Sequence, residues 1–141
     1  MIKVNFYRLD TIEDHRLMFA VIMASYRGKW IFVRHKERTT WEIPGGHREE
    51  NESILQAASR ELNEETGAEE FKITPVCIYS VKNGHIETFG QLFYAYVVKI
   101  GDLPHSEIGD INFFNTTPDN LTYPLIQPYL AKKVESIYEI Q

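Results

Sequence analysis

The segment GHREENESILQAASRELNEETGA, residues 46–68, decides the local structure of this chain and most of its chemistry. Ser53, followed three residues later by Gln56, forms a capping box, in which two side chains satisfy backbone amides at the start of a helix. Gly67 stands where a glycine commonly ends a helix. The pattern predicts a helix over residues 53–66, with a core face made of Ile54, Leu55, Ala58 and Leu62.

The predicted helix carries three closely spaced acids near its C-terminal end. Glu61, Glu64 and Glu65 occupy positions i, i+3 and i+4, so their carboxylates project from one face within about one turn. Like charges so placed repel each other, and the helix dipole disfavours anions at this end. Two interpretations stay open. The carboxylates bind a hard divalent cation, Mg²⁺ or Mn²⁺, or they form a solvated acidic face.

Apolar segments before the helix predict strands. The long apolar run 17–26 and the run 29–36 are separated by Arg27-Gly28, which is typical of a two-residue hairpin turn. Residues 41–44 predict a brief extended piece that ends at a glycine turn, Gly45-Gly46. A short strand is also expected near the N-terminus, over residues 4–8.

The chain after the helix predicts a hairpin, a loop and a final helix. Two strands, 71–81 and 86–100, flank Asn83-Gly84, and the second is apolar on both faces, as a central strand should be. A polar loop over 101–109 precedes a short strand at 111–114. The last helix has a core side made of Ile126, Leu130, Val134 and Ile137. This order predicts an α/β (α+β) fold, with a mixed sheet between helices.

Composition places the chain in a broad class. Its 141 residues suit a single domain over 1–141, and 43% hydrophobic residues suffice for a core. Cys77 is the only cysteine, so no intramolecular disulfide is possible, and a cytoplasmic protein is expected. The net charge of −5, with eight glutamates between Glu49 and Glu70, argues against nucleic-acid binding. The longest apolar run is too short to span a membrane.

The spacing of the fixed residues in 46–68 resembles the Nudix box. Gly46, five residues, Glu52, seven residues, Arg60-Glu61-Leu62, one residue, Glu64-Glu65, one residue, Gly67 and an aliphatic residue match every fixed position of GX5EX7REUXEEXGU, where U is aliphatic. Seven fixed residues coincide by chance on the order of once in 10⁹ registers. The resemblance implies the Nudix α/β/α sandwich, with a mixed, mainly antiparallel sheet, over nearly the whole chain.

The resemblance also implies roles for individual residues. It assigns Glu61, Glu64 and Glu65 to divalent metal ions, Mg²⁺ or Mn²⁺, together with a backbone carbonyl at Gly45. Arg60 is expected to hold Glu52 and to orient the neighbouring carboxylates. The implied reaction is attack of water on a nucleoside diphosphate linked to another moiety, with a box carboxylate or a loop acid taking the proton.

The family commonly adds a carboxylate from a loop before the last strand. Glu107 is the candidate for this metal ligand or general base, because it lies between the predicted central strand and the last helix. Asp110 and Glu87 are competing candidates, and each of the three acids could equally be a plain surface residue.

The substrate is expected to be a small nucleotide. Single-domain length and the stretch around Asn120 resemble the MutT-type branch of the family, which suggests a nucleoside triphosphate such as 8-oxo-dGTP. Asn120 is a candidate for base recognition or for helix capping, and Arg34 and Arg38 are candidates for phosphate binding. ADP-ribose, dinucleoside polyphosphates and a non-catalytic nucleotide-binding module stay open, as do a monomer and a homodimer.

Overall fold

A seven-stranded mixed sheet forms the centre of the molecule in a computed structural model, which describes residues 1–104 and 107–139. The strands are β1 (Ile2–Tyr7), β2 (Leu17–Tyr26), β3 (Lys29–His35), β4 (Gly45–His47), β5 (Ala68–Asn83), β6 (Ile86–Ile100) and β7 (Ile108–Phe114). The α-helices are α1 (Ile54–Thr66) and α2 (Gln127–Glu135), and a 3-10 turn spans Asp14–Arg16. The predicted strands and helices are therefore present, with several ends shifted by two or three residues. Residues 105 and 106 of the predicted loop lie outside the described part.

The sheet has the order β1-β5-β6-β2-β3-β7, and β4 pairs with β2 beside this path. Strands β2 and β6 run parallel, while the other pairings of named strands are antiparallel. Each face of β6 enters a different core: Phe93 packs in the core shared with α1, and Leu92 in the core shared with α2. This arrangement confirms the predicted sandwich, and it confirms β6 as a central strand covered on both sides.

Turn geometry agrees with one prediction and corrects another. Arg27 and Gly28 have φ angles of 49° and 78°, which is the left-handed pair that a tight β2–β3 hairpin requires. In the β5–β6 hairpin, Asn83 is paired with Ile86, so the two-residue loop is Gly84-His85 and not Asn83-Gly84. Gly84 therefore occupies the first loop position, where its φ of 65° suits a hairpin turn that takes glycine at that position. The loop lies one residue later in the chain than predicted.

The expected glycine turn at 45–46 is wrong, because these residues begin strand β4. Ala20 pairs with Gly46, and the strand runs antiparallel to β2. A Cβ atom on Gly45 would collide with the carbonyl oxygen of Ala20, so a glycine is needed for this close approach. The extended piece before β4 makes only isolated bridges among the described residues, such as the one between Val33 and Glu42.

Helix α1 has the predicted ends. The Ser53 side chain accepts a hydrogen bond from the Gln56 amide, and the Gln56 side chain accepts one from Ser53, which completes the capping box. Gly67 ends the helix with a φ of 77°. The core face differs at one position: Leu55 is 46% exposed, and Ala57, two residues further along the helix, is buried in its place. In the last helix, Ile137 lies beyond the end of α2 and is exposed.

Leucine-to-alanine variants in α1 test this corrected core face. Leu62→Ala should lower the free energy of unfolding by about 2–5 kcal/mol, because it leaves a cavity in a fully buried site. Leu55→Ala makes the same chemical change at a half-exposed site and should cost less than about 1 kcal/mol. Urea unfolding of both variants measures the difference, and equal losses would contradict the assignment of the core face.

Candidate functional site

Arg60 holds together the acids of the helix and of the loop before it. Its Nε and Nη2 atoms donate to the two carboxylate oxygens of Glu52, at 2.6 and 3.0 Å. Its Nη1 atom donates to Glu61 at 2.9 Å and to Glu64 at 3.3 Å, and Nη2 also reaches the carbonyl oxygen of His47. The hydrogen bonds from Arg60 lower the pKa of Glu52 to about 2. The forked guanidinium therefore links α1 to the end of β4.

Glu61 and Glu65 are carboxylates that the fold has largely removed from water. Burial raises the pKa of Glu65 to about 8, although the amide of Gly45 donates to it at 2.9 Å and opposes the rise. Burial also raises the pKa of Glu61 to about 7 against the opposing charge of Arg60. The Glu61 carboxylate lies so close to Gly46 that a Cβ atom there would overlap it. Residue 46 must therefore be glycine for Glu61 to occupy this position.

A second cluster near Glu65 was not predicted from the sequence. Glu42 is 7% exposed, and His35 Nε2 lies 3.1 Å from one of its oxygens and 3.8 Å from an oxygen of Glu65. The other Glu42 oxygen accepts a hydrogen bond from Arg38. The cluster thus connects the acids of α1 to a cation on the loop after β3. One sequence signal could have revealed this cluster: Glu42 is an acid within the otherwise apolar stretch that precedes Gly45 and Gly46.

A cleft of about 500 Å³ opens beside these acids, between the sheet and the start of α2. The glycines and histidine of β4 line it, together with His35, Arg38 and Glu42. Apolar and aromatic side chains form most of the rest, among them Tyr79, Tyr123 and Leu130. A largely apolar cleft next to a few convergent polar groups is the usual form of a small-molecule site.

The three candidate loop and strand acids occupy different places. Glu107 lines the cleft, as do the glycines of β4. Asp110 is exposed on β7, where it pairs with Arg34 of β3 and does not line the cleft. Glu87 accepts hydrogen bonds from Ser80 at 2.7 Å and Tyr7 at 3.0 Å, which lower its pKa. The geometry favours Glu107, whose catalytic role stays a prediction.

Only one of the three predicted substrate-binding residues lines the cleft. Arg38 does so, with its guanidinium 5.7 Å from the centre of the Tyr123 ring. Arg34 donates to the carbonyl oxygen of Arg38 instead, and Asn120 donates to the carbonyl oxygen of Thr39 at 3.4 Å. Local spacing could not show that these two side chains are used for loop contacts. Their roles in substrate binding stay predictions.

The donor chemistry of this site suits a hard divalent cation. Glu61, Glu64 and Glu65 supply only carboxylate oxygens, which are the ligands that Mg²⁺ and Mn²⁺ prefer. Two of them, Glu61 and Glu65, are partly or fully withdrawn from water, and their charged forms gain from a neighbouring cation. Within residues 1–104 and 107–139, no three acid, histidine or cysteine side chains already converge as a ligand group. Glu61 and Glu64 each use one carboxylate oxygen on Arg60, and the second oxygen of each makes no contact with Arg60.

Arg60→Ala tests whether this arginine positions the acids. The variant should lower activity and metal affinity together, each by about 10- to 100-fold, because Glu52, Glu61 and Glu64 lose their common partner. Activity measured against the concentration of Mg²⁺ gives both quantities. Lys99→Ala removes an exposed ion pair with Glu69 and serves as the control. Full activity with unchanged metal dependence in Arg60→Ala would contradict the positioning role.

In the described part of the chain, no helix combines the length and apolarity that a bilayer crossing needs.

Sequence comparisons give two relatives from Bacillus subtilis. YtkD, provisionally named an 8-oxo-dGTP diphosphatase, is 28% identical over 102 residues, which cover 72% of this chain and 64% of YtkD. An ADP-ribose pyrophosphatase is 34% identical over 88 residues, which cover 60% of this chain and 48% of that protein. The matched region thus spans between about half and two thirds of each relative.

Solved structures show the same fold. The Bacillus subtilis pyrophosphohydrolase BsRppH, as its E68A mutant, matches with a TM-score of 0.80 at 21% identity over 99% of this chain and 93% of that one. A Caenorhabditis elegans Ap4A hydrolase matches with a TM-score of 0.64 at 17% identity over 85% of this chain and 96% of that one.

The sequence profile of the NUDIX domain matches residues 14–118, which include the box, the Arg60 cluster and Glu107. The chain therefore belongs to the Nudix family.

Proposed function

We propose that the protein is a divalent-metal-dependent hydrolase of a nucleoside diphosphate derivative. The proposed substrate is a nucleoside triphosphate, with 8-oxo-dGTP as a candidate, and the products are a nucleoside monophosphate and pyrophosphate. One observation carries this proposal: the acids of α1 lie directly beside the cleft, on the other side of the glycines of β4. A nucleotide in the cleft can therefore extend its phosphates to the acids.

Each residue of the site has its own role in the proposed reaction. Glu61, Glu64, Glu65 and Glu107, with the carbonyl oxygen of Gly45, would hold the metal ions. When bound, these ions supply neutralisation of phosphate charge and a more acidic water. Arg38, which lines the cleft, would contact a phosphate or the sugar. One of the carboxylates accepts the proton of the attacking water.

A second substrate class has support from one relative. The 34% identical Bacillus subtilis protein is named an ADP-ribose pyrophosphatase, and ADP-ribose contains the same diphosphate linkage. The apolar cleft could hold either a base or a second sugar. A non-catalytic module that only binds nucleotide is the alternative outside the enzymes, and the retained set of box carboxylates argues against it.

A nucleotide panel separates these possibilities. The purified chain is incubated with Mg²⁺ and with nucleoside triphosphates, 8-oxo-dGTP, ADP-ribose or dinucleoside polyphosphates, and the products are resolved by chromatography. Pyrophosphate and a nucleoside monophosphate from triphosphates are the expected products. Release of AMP from ADP-ribose alone would favour the second class. Nucleotide binding without any hydrolysis would contradict the proposed enzyme.

A further inference from the structure

Gln127 is a buried polar side chain on the wall of the cleft. It is the first residue of α2, is 6% exposed, and lines the cleft close to the strands. Its Oε1 atom accepts a hydrogen bond from the backbone amide of Ile43 at 2.8 Å. Burial of an amide is costly unless its donors and acceptors find partners. The next question is therefore which group pairs with its other polar atom, Nε2.

The backbone of Ile43 fixes which way the Gln127 amide points. A backbone N–H can only donate, so the oxygen must face it and the Nε2 group must face the other way. No acceptor for Nε2 is found within residues 1–104 and 107–139. In the same residues, every fully enclosed side-chain nitrogen or oxygen has a partner. Nε2 is therefore not enclosed, and the open space beside Gln127 is the cleft.

The surroundings of this amide suit a flat aromatic ring. Val21, Ile43 and Leu130 give the cleft apolar walls. Tyr79 also lines it and is 5% exposed, and its ring packs so closely on Gly90 that a Cβ atom there would lie 2.7 Å from the ring. A largely apolar cleft fixes the orientation of a ligand through its few polar groups.

We infer that Gln127 determines base specificity, by donating from Nε2 to the carbonyl oxygen of a 6-oxopurine bound in the cleft. The inference rests on the proposed nucleotide hydrolase. A 6-aminopurine presents an N–H₂ group at the same edge, so two donors would face each other and both would stay unpaired. A site built to hydrogen-bond one group rejects the analogue that lacks it more strongly than an apolar pocket can. The asparagine predicted for this role, Asn120, contacts Thr39 instead.

Inosine and adenosine triphosphates are matched probes, because their purines differ in the oxo or amino group at position 6 and in the proton at N1. The wild-type chain should hydrolyse ITP with a kcat/KM at least about tenfold above that for ATP. In Gln127→Glu, one carboxylate oxygen can still accept from Ile43, while the second accepts from the amino group. The ITP/ATP ratio should therefore fall by about tenfold or more in this variant.

Asn83→Asp provides the control, since it makes the same change from amide to acid in the exposed β5–β6 hairpin. Its ITP/ATP ratio should equal that of the wild type. A wild-type ratio near one, or a ratio that Gln127→Glu leaves unchanged, overturns the inference. Because the ratio compares two substrates on one enzyme, a general loss of activity does not move it.

Binding of monophosphates tests the inference without hydrolysis and without a variant. Calorimetry on the wild-type chain should give a Kd for IMP at least about tenfold below that for AMP. Equal binding, or tighter binding of AMP, overturns the inference even if Gln127→Glu fails to fold. Absence of hydrolysis of both triphosphates contradicts the proposed enzyme, while the IMP and AMP affinities still decide the role of Gln127.

Discussion

Glu64→Gln is expected to lower kcat on the order of 10³-fold. The change keeps the shape of the side chain but removes the charge that would face a metal ion or accept a proton. The Glu64 side chain is 47% exposed and accepts a hydrogen bond from Arg60 at 3.3 Å, so the change in the free energy of unfolding should stay within about 1 kcal/mol. Steady-state hydrolysis with saturating Mg²⁺ and thermal unfolding of the same sample measure the two effects.

A matched control and a metal-removal arm make the test of Glu64 specific. Glu70→Gln removes the charge of an exposed acid on β5, outside the site, and should keep wild-type rates. Excess EDTA should abolish turnover by the wild-type chain, because the acids of α1 then have no cation to join them to phosphate. Undiminished turnover by the wild-type chain in excess EDTA would contradict the metal-dependent mechanism.

Glu107→Gln is expected to lower kcat on the order of 10²-fold, since Glu107 is proposed as a ligand or as the base. The acid lines the same cleft as the glycines of β4, so it would face a phosphate or its water bound there. Rates measured at saturating Mg²⁺ separate a lost base from weakened metal binding, because saturation restores only the second.

The two competing acids supply the controls for Glu107. Asp110→Asn should stay within a few-fold of the wild-type rate, because Asp110 is exposed on β7 and does not line the cleft. Glu87→Gln should change the free energy of unfolding more than the rate of hydrolysis, because Glu87 accepts hydrogen bonds from Ser80 and Tyr7 that stabilise the folded chain. A near-normal rate for Glu107→Gln, with a large loss in either control, would show that a different carboxylate acts.

The helix and its acids were predictable because their causes are local. The capping box at Ser53 and the terminal glycine Gly67 act within a few residues, so spacing alone marks both ends of α1. The contact between Arg60 and Glu64 spans one helical turn and follows from the same spacing. Strand β6 was recognisable as central because both of its faces are apolar.

Several local predictions failed where two patterns competed. Residues 45 and 46 resembled a turn, but glycine also permits the close approach of two strands, and only the position of β2 decides between these uses. Leu55 fitted the apolar stripe by spacing, yet α1 rests on the sheet at an angle that buries Ala57 instead. The apolar stripe on a helix is compatible with several rotations of the helix about its axis. Packing against the sheet selects one of these rotations.

The family, the ends of α1 and the close spacing of its acids could all be read from residue order, because each depends on spacing within one segment. The surroundings of those acids depend on contacts between distant parts of the chain. Glu42 contacts His35 across a bend, and Gln127 meets the amide of Ile43 from 84 positions along the chain. No periodicity records such pairs, since the cleft exists only after α2 has packed on the sheet.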